Sequence, residues 1–236
     1  MLKRAFITPN KQGPFTRRVL ARSLGGALPP PGRKIGLLGG SFNPAHRGHR
    51  HISLEALRKL GLDEVWWLVS PQNPLKSAQE MMPLATRLDG AKRMAQHRQI
   101  RITALETLLG CTATVETLSW LTRLFPQVHF VWLMGADNLL QIDRWQAWEE
   151  IFHLTTIAVF DRPTYSMRAS GAKAAQRFAR QRVCESKAQS LADLRAPAWT
   201  FLHTPLDALS ATELRARLSA GATVAGSACW SRRSRA

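Results

Sequence analysis

The sequence predicts an α/β fold, a single doubly wound parallel sheet with helices on both faces. Two observations carry that prediction. From Lys34 to about Leu218, short apolar runs of strand length alternate with segments of helical spacing, a pattern that builds parallel sheets with helical crossovers. At 236 residues and 45% hydrophobic content the chain has apolar area for a real core, and no internal repeat or interdomain linker divides it.

Each element follows from its residues. Lys34-Ile35-Gly36-Leu37-Leu38 reads as a buried strand running into Gly39-Gly40, a glycine pair expected to turn the chain. Ile52, Ala56, Leu57 and Leu60 lie at helical spacing in the stretch from His49, and Gly61 ends it. Val65 to Val69 is a second strand, closed by Ser70-Pro71, and Pro83 opens a helix to His97, where proline suits the first turn. Ile100 to Thr103 is a third strand, Thr114 to Phe125 a helix closed by Pro126, and Val128 to Met134 a fourth strand ending at Gly135. Trp145 to Phe152 is a short helix, Thr155 to Phe160 a fifth strand, and Ala169 to about Lys187 a basic helix. Trp199 to His203 is a sixth strand, and Ser210 caps a last helix with Leu214 and Leu218 four apart. The arrangement expected is Rossmann-like. In such sheets ligands bind beyond the carboxyl ends of the strands, where strand order reverses. Residues with chemistry are therefore expected after Leu38, Val69, Leu133 and Phe160.

Charge is the unusual bulk property: 33 Lys and Arg against 16 Asp and Glu, formally +17. Residues 1–34 hold eight of the cations and no acid, and no acid follows Glu213. Residues 1–32 are expected to be a flexible basic leader, 33–220 the folded domain, and 221–236 a basic tail. A nucleic-acid arm would explain the charge, but the leader lacks the interleaved aromatics of a stacking platform, so nucleic acid is not expected as a partner. No uncharged apolar run is long enough to span a bilayer, and Arg22 interrupts any signal-peptide core. Cys111, Cys184 and Cys229 fit neither a disulfide framework nor a zinc site and suit a reducing, cytoplasmic compartment.

The strongest local signal is Gly39-Gly40-Ser41-Phe42-Asn43-Pro44-Ala45-His46-Arg47-Gly48-His49. Asn43 and Pro44 set the turn. His46 and His49 stand three apart at a helix start, so both face one ligand. A helix N-terminus adds free N–H groups and positive potential, which suits phosphate. Capping or core histidines are the plain alternative, but two of them at H-x-G-H spacing after a strand and a glycine pair make that alternative the weaker one. The segment has neither a Walker lysine nor the G-x-G-x-x-G of dinucleotide folds.

This segment resembles the G-x-F-D-P-x-H-x-G-H signature of the nucleotidylyltransferase superfamily, with Asn43 at the usual Asp. Ser210-Ala211-Thr212-Glu213-Leu214-Arg215 is similar to its second signature, S-[SA]-T-x-x-R; alone it reads better as an N-cap with a surface arginine, but paired with the first motif it reads as a second anion site. Gly135-Ala136-Asp137-Asn138-Leu139 followed by Trp145, Trp148 and Ile151 resembles a stretch of the bacterial nicotinate mononucleotide adenylyltransferases; Trp148 itself is expected to be core. Thr112 to Leu118 resembles their Y-T-x-x-T-L segment, with Cys111 taken for the tyrosine. Ser70 to Lys76 resembles their P-x-x-P-H-K loop, with Leu75 for the histidine, and Asp161-Arg162-Pro163 their R-P element. Arg87 matches a recurrent arginine, as either a ligand group or a solvated cation. The likeness runs in order from about Arg33 to Leu218.

The resemblance implies adenylyl transfer from ATP to nicotinate mononucleotide, giving nicotinate adenine dinucleotide and pyrophosphate, in NAD biosynthesis. It implies His46, His49 and Arg215 as catalytic groups. It places Gly39, Gly40, Ser41, Phe42, Gly135, Asp137, Ser210 and Thr212 with them around ATP. Asn43, Lys76, Thr112, Thr114, Trp145 and Arg162 fall to the mononucleotide, with Trp145 stacking on the pyridine ring and N–H groups near Thr112 to Thr117 meeting its carboxylate. Mg2+ is expected to enter with ATP, without a protein metal cage. A sister enzyme for pantetheine phosphate, or a basic RNA-binding protein on this scaffold, are the alternatives. Oligomeric state stays open, with a homo-oligomer allowed.

Overall fold

The computed structural model describes residues 17–71, 81–161, 169 and 171–204. Its elements are α1 (Arg17–Ser23), β1 (Lys34–Gly40), α2 (Arg47–Lys59), β2 (Glu64–Val69), α3 (Leu84–Ala95), β3 (Ile100–Thr103), α4 (Leu105–Leu109), α5 (Thr114–Leu124), β4 (His129–Gly135), α6 (Ala136–Leu139), α7 (Trp148–Leu154), β5 (Thr156–Phe160), α8 (Lys173–Arg177), β6 (Arg182–Val183) and β7 (Trp199–Leu202). The strands form one sheet of order β3-β2-β1-β4-β5-β7-β6, parallel throughout.

The strand period of two sorts side chains onto two faces. Ile35, Leu37, Trp66, Leu68, Trp132, Met134, Ile157 and Val159 pack with α1, α4, α5, α6, α7 and α8. Leu38, Val65, Trp67, Val131, Leu133, Ala158 and Phe160 pack with α2, α3 and the 3-10 segment Glu185–Asp193. The doubly wound sheet expected from the alternation is the one observed. Strand order reverses between β1 and β4, whose register pairs Leu38 with Leu133. Continued two residues, that register sets Gly40 beside Gly135, so the two glycine-ended strands open one crevice.

Three expectations are corrected. The sheet has seven strands, not six. The single basic helix expected over Ala169 to Lys187 is instead α8, a 3-10 turn (Ala179–Gln181), the edge strand β6 and a second 3-10 segment. Helical periodicity there ends at Phe178, whose ring stacks on Phe152 with centroids 4.1 Å apart. Beyond it Arg182 lies over the Trp199 ring and Thr200 Oγ1 donates to the Val183 carbonyl, so the sheet edge captures the chain. The described part of the leader is not flexible solvent-facing chain either. Leu20 of α1 and Leu24 just after it are buried in the core, Gly32 N–H donates to the Gln127 carbonyl, and Arg101 donates to the Leu24 carbonyl. Their spacing of four places Leu20 and Leu24 on one helical face. The helix expected after Ser210 lies outside the described residues. Among the described residues no helix is long and apolar enough to cross a membrane.

Candidate active site

β1 delivers the motif loop to the crevice, and its glycine pair does not form the turn; Gly39 acts by size. Gly39 and Gly40 lie within the strand. A Cβ on Gly39 would overlap the Trp132 indole of the neighbouring strand. The turn falls on Phe42, held at φ 47 in the left-handed region, where a non-glycine residue is strained. Packing offsets that cost: the Phe42 ring stacks on Trp67 at 5.0 Å and meets His49 at 4.6 Å. Asn43 is buried, and its Oδ1 accepts the Met82 N–H at 3.1 Å, tying the loop to the approach to α3.

The two histidines interlock at the start of α2. His46 is the N-cap, with its Nδ1 accepting Gly48 N–H at 3.2 Å. His46 N–H in turn donates to His49 Nδ1, also at 3.2 Å. In a neutral ring the nitrogen that accepts carries no hydrogen, so in both rings Nε2 carries it. The capping role and the donor role, opposed in the sequence reading, are one arrangement: capping fixes the tautomer and the aim of each ring. The ring centroids are 3.8 Å apart. Behind them Trp67 Nε1–H donates to Ser53 Oγ, which donates to the His49 carbonyl. No acid lies in the first turn of α2, so the positive end of this helix of 13 residues faces the crevice uncompensated from within it. His46 is itself buried, at 2% exposure.

Across the crevice, Gly135 ends β4 and Asp137 lies in the short α6. Trp145 does not begin a helix; it follows the 3-10 turn Ile142–Arg144, three residues before α7, and its partly buried ring packs against the core. Trp148 meets Phe152 and Phe178 edge to face, the core position expected of it. On the β2 and β3 side, Thr112 and Thr114 lead into α5. There Glu116 accepts the N–H groups of Thr112 at 2.9 Å and Ala113 at 3.2 Å. Those two donors, expected to meet a substrate carboxylate, are engaged by the chain's own helix-capping acid. Lys76, Arg162, Ser210, Thr212 and Arg215 lie outside the described residues.

One functional candidate, Glu106, escaped the sequence reading, and a second, Arg87, takes a place that the sequence reading did not give it. Arg87 is not a solvated cation but a buried one. At 2% exposure it donates to four backbone carbonyls: Met82 at 2.9 Å, Ser41 at 2.7 Å, Ser70 at 2.7 Å and Pro71 at 2.8 Å. Burial lowers its pKa from the ordinary arginine value, and among the described residues no carboxylate pairs with it. The spacing of four that sets Arg87, Ala91 and Ala95 on the inward face of α3 is a local signal for that face, but not for the four carbonyls. Glu106 is also buried. Burial raises its pKa, and hydrogen bonds from Ser70 and Thr117 oppose that rise. No motif marks it.

The cytidylyltransferase-like family matches residues 37–217. A protein of Methylorubrum extorquens (strain PA1), named "Probable nicotinate-nucleotide adenylyltransferase", is 51% identical over 184 residues, covering 78% of this chain and 100% of that one. One of Cereibacter sphaeroides with the same name is 49% identical over 182 residues, 77% of this chain and 96% of the relative. Among solved structures, the Plasmodium falciparum nicotinic acid mononucleotide adenylyltransferase complexed with APC superposes with a TM-score of 0.59 at 17% identity, covering 79% of this chain and 84% of its own, which shows a shared fold. With its motif at the strand-order switch and near 50% identity along the whole length of such relatives, the chain belongs to the nicotinate-nucleotide adenylyltransferase family of cytidylyltransferase-like nucleotidyltransferases.

Proposed function

We propose that the protein transfers the adenylyl group of ATP to the phosphate of nicotinate mononucleotide, releasing pyrophosphate and giving nicotinate adenine dinucleotide for NAD biosynthesis. The observation that carries this reading is the interlocked His46–His49 pair at the β1/β4 switch point, in a chain 51% identical over 184 residues to a relative of that name.

The attacking phosphate is anionic at neutral pH, so the reaction needs no general base. It needs positioning and donors where charge builds. His46 and His49 present Nε2–H to the phosphates of ATP, and the start of α2 adds its dipole. Ser41 and Phe42 shape the loop beside Gly39 and Gly40. Gly135 lets the adenosine approach the end of β4, and Asp137 takes its ribose hydroxyls. Ser210, Thr212 and Arg215 form the second anion site, for the pyrophosphate end. Asn43, Lys76, Thr112, Thr114, Trp145 and Arg162 belong to the mononucleotide, with Trp145 offering a ring face and Arg162 a charge for its phosphate. Among the described residues no group of three His, Cys, Asp or Glu side chains is placed to hold a metal. Mg2+ would enter with ATP. When bound, the ion draws charge from the phosphate oxygens.

The test is pyrophosphate release with ATP, Mg2+ and a panel of acceptors: nicotinate mononucleotide, nicotinamide mononucleotide and pantetheine phosphate. Turnover is expected with the first, its product identified by chromatography. Turnover with pantetheine phosphate alone overturns the reading.

A further inference from the structure

Glu106 is a buried acid that the chemistry above does not use. It lies in α4, on the side of the sheet packed by α5, and is 7% exposed. Both carboxyl oxygens are occupied: Ser70 Oγ donates to Oε2 at 2.6 Å and Thr117 Oγ1 donates to Oε1 at 3.3 Å. Among the described residues no cation forms an ion pair with it. An apolar side chain would fill this place without the desolvation cost of an acid, so what the acid adds is the hold on its two partners.

Those partners belong to two different segments, the end of the β2 region and the start of α5. Ser70 directly follows β2 and is bound to the motif loop three ways. Its N–H donates to the Gly40 carbonyl at 3.0 Å. Its own carbonyl accepts from Arg87 Nη1, and the same nitrogen donates to the Ser41 carbonyl. Arg87 Nε also holds the Met82 carbonyl, whose residue gives its N–H to Asn43. Thr117 belongs to the first turn of α5, directly after Thr112 and Thr114. A continuous hydrogen-bonded path thus runs from Ser41 through Arg87 and Ser70 to Glu106 and Thr117. It joins the half of the site with the histidines to the half with the threonines.

We propose that Glu106 is a positioning residue for the transfer: through Ser70 and Thr117 it holds the Thr112–Thr117 segment at a set distance from the motif loop. This rests on the proposed function, which puts ATP at the loop and the mononucleotide at that segment. Apolar packing lets two elements slide by fractions of an ångström; two O–H donors on one carboxyl do not. Transfer between two bound phosphates demands that restraint, since a displacement of about 1 Å costs on the order of 10²-fold in rate.

The experiment is steady-state kinetics with ATP and nicotinate mononucleotide, with thermal melting alongside, on the full chain. Glu106→Ala is expected to raise KM for the mononucleotide and lower kcat, together about tenfold or more in kcat/KM, with KM for ATP within about twofold. Glu106→Gln restores most of the loss, because its amide still offers one group to each hydroxyl. Ser70→Ala gives a smaller change in the same direction, and adding it to Glu106→Ala costs little more, as members of one network do. If Glu106→Ala does not fold, Ser70→Ala and Thr117→Val decide the matter. Variants that melt lower yet keep both KM values and kcat, or that raise both KM values equally, overturn the proposal and leave Glu106 a structural residue. Wild-type protein that turns over no mononucleotide overturns the functional reading on which it stands, before any variant is compared.

Discussion

At position 46 the two ring nitrogens divide: Nδ1 accepts Gly48 N–H at the helix cap, and Nε2 keeps the hydrogen that points away from it. A change to alanine removes both functions. Loss of the cap costs about 0.5–2 kcal/mol, and loss of a donor to transition-state charge costs about 10²–10³ in kcat. Asparagine is itself a good N-cap, so His46→Asn separates the two. It is expected to melt near the wild type yet lose as much kcat as His46→Ala. Wild-type kcat in the asparagine variant would assign His46 to capping alone. Arg87 shows the opposite logic. Its charge is turned entirely on backbone carbonyls, which shape the loop that the histidines extend.

Among the elements, α1 departs furthest from its sequence reading. Leu24 is fully buried and Leu20 nearly so, and the stretch after them is pinned by charge. Glu64 accepts from Arg33, from Arg101 and from Trp66 Nε1, while Arg101 reaches the carbonyls of Leu24 and Ala27. Leu24→Ala is expected to destabilise the protein by about 2–5 kcal/mol, the range for a truncated core leucine, measured by denaturant unfolding. Partial burial of Glu64 works to raise its pKa, but hydrogen bonds from Trp66 and Arg33 and the charge of Arg101 outweigh it, and the net shift is downward. A carboxylate with a depressed native pKa stabilises the fold at pH above its unfolded value. That contribution is lost as pH falls through the native value. The stability gap between wild type and Glu64→Gln is therefore expected to be widest near neutrality and to close in acid. A gap independent of pH would show that the carboxylate charge contributes nothing to the anchor.

For the whole molecule, the same packing sets where the chain can be shortened. The M. extorquens relative is matched over its entire length by 184 of these 236 residues, so some of the basic terminal sequence is extra to the shared fold. We propose residues 1–16 as dispensable for turnover, and the folded unit as beginning at α1 rather than near Arg33. A chain starting at Arg17 is expected to keep the melting temperature and kcat/KM. One starting at Gly32 loses Leu20 and Leu24 from the core and is expected to melt several degrees lower. Equal melting of both would return α1 to the status of a leader.

Alternation of strand and helix, and the order in which motif segments follow strand ends, are local properties of the chain. Hydrophobic period and loop chemistry report them directly, so the parallel sheet, the crevice beyond β1 and β4, and the histidine pair were legible in the residues themselves. Trp148 was legible too, from its neighbours Ile151 and Phe152. What the sequence could not show depends on partners distant along the chain. Gly39 is small because of Trp132, Arg87 is buried because four carbonyls from three segments converge on it, and Glu106 joins residues 36 positions before it and 11 after. β6 is a strand only because β7 offers it an edge. Burial and hydrogen bonding across the fold decide these cases, since each residue's own preference is weak beside the cost of leaving a buried polar group or a sheet edge without its partner.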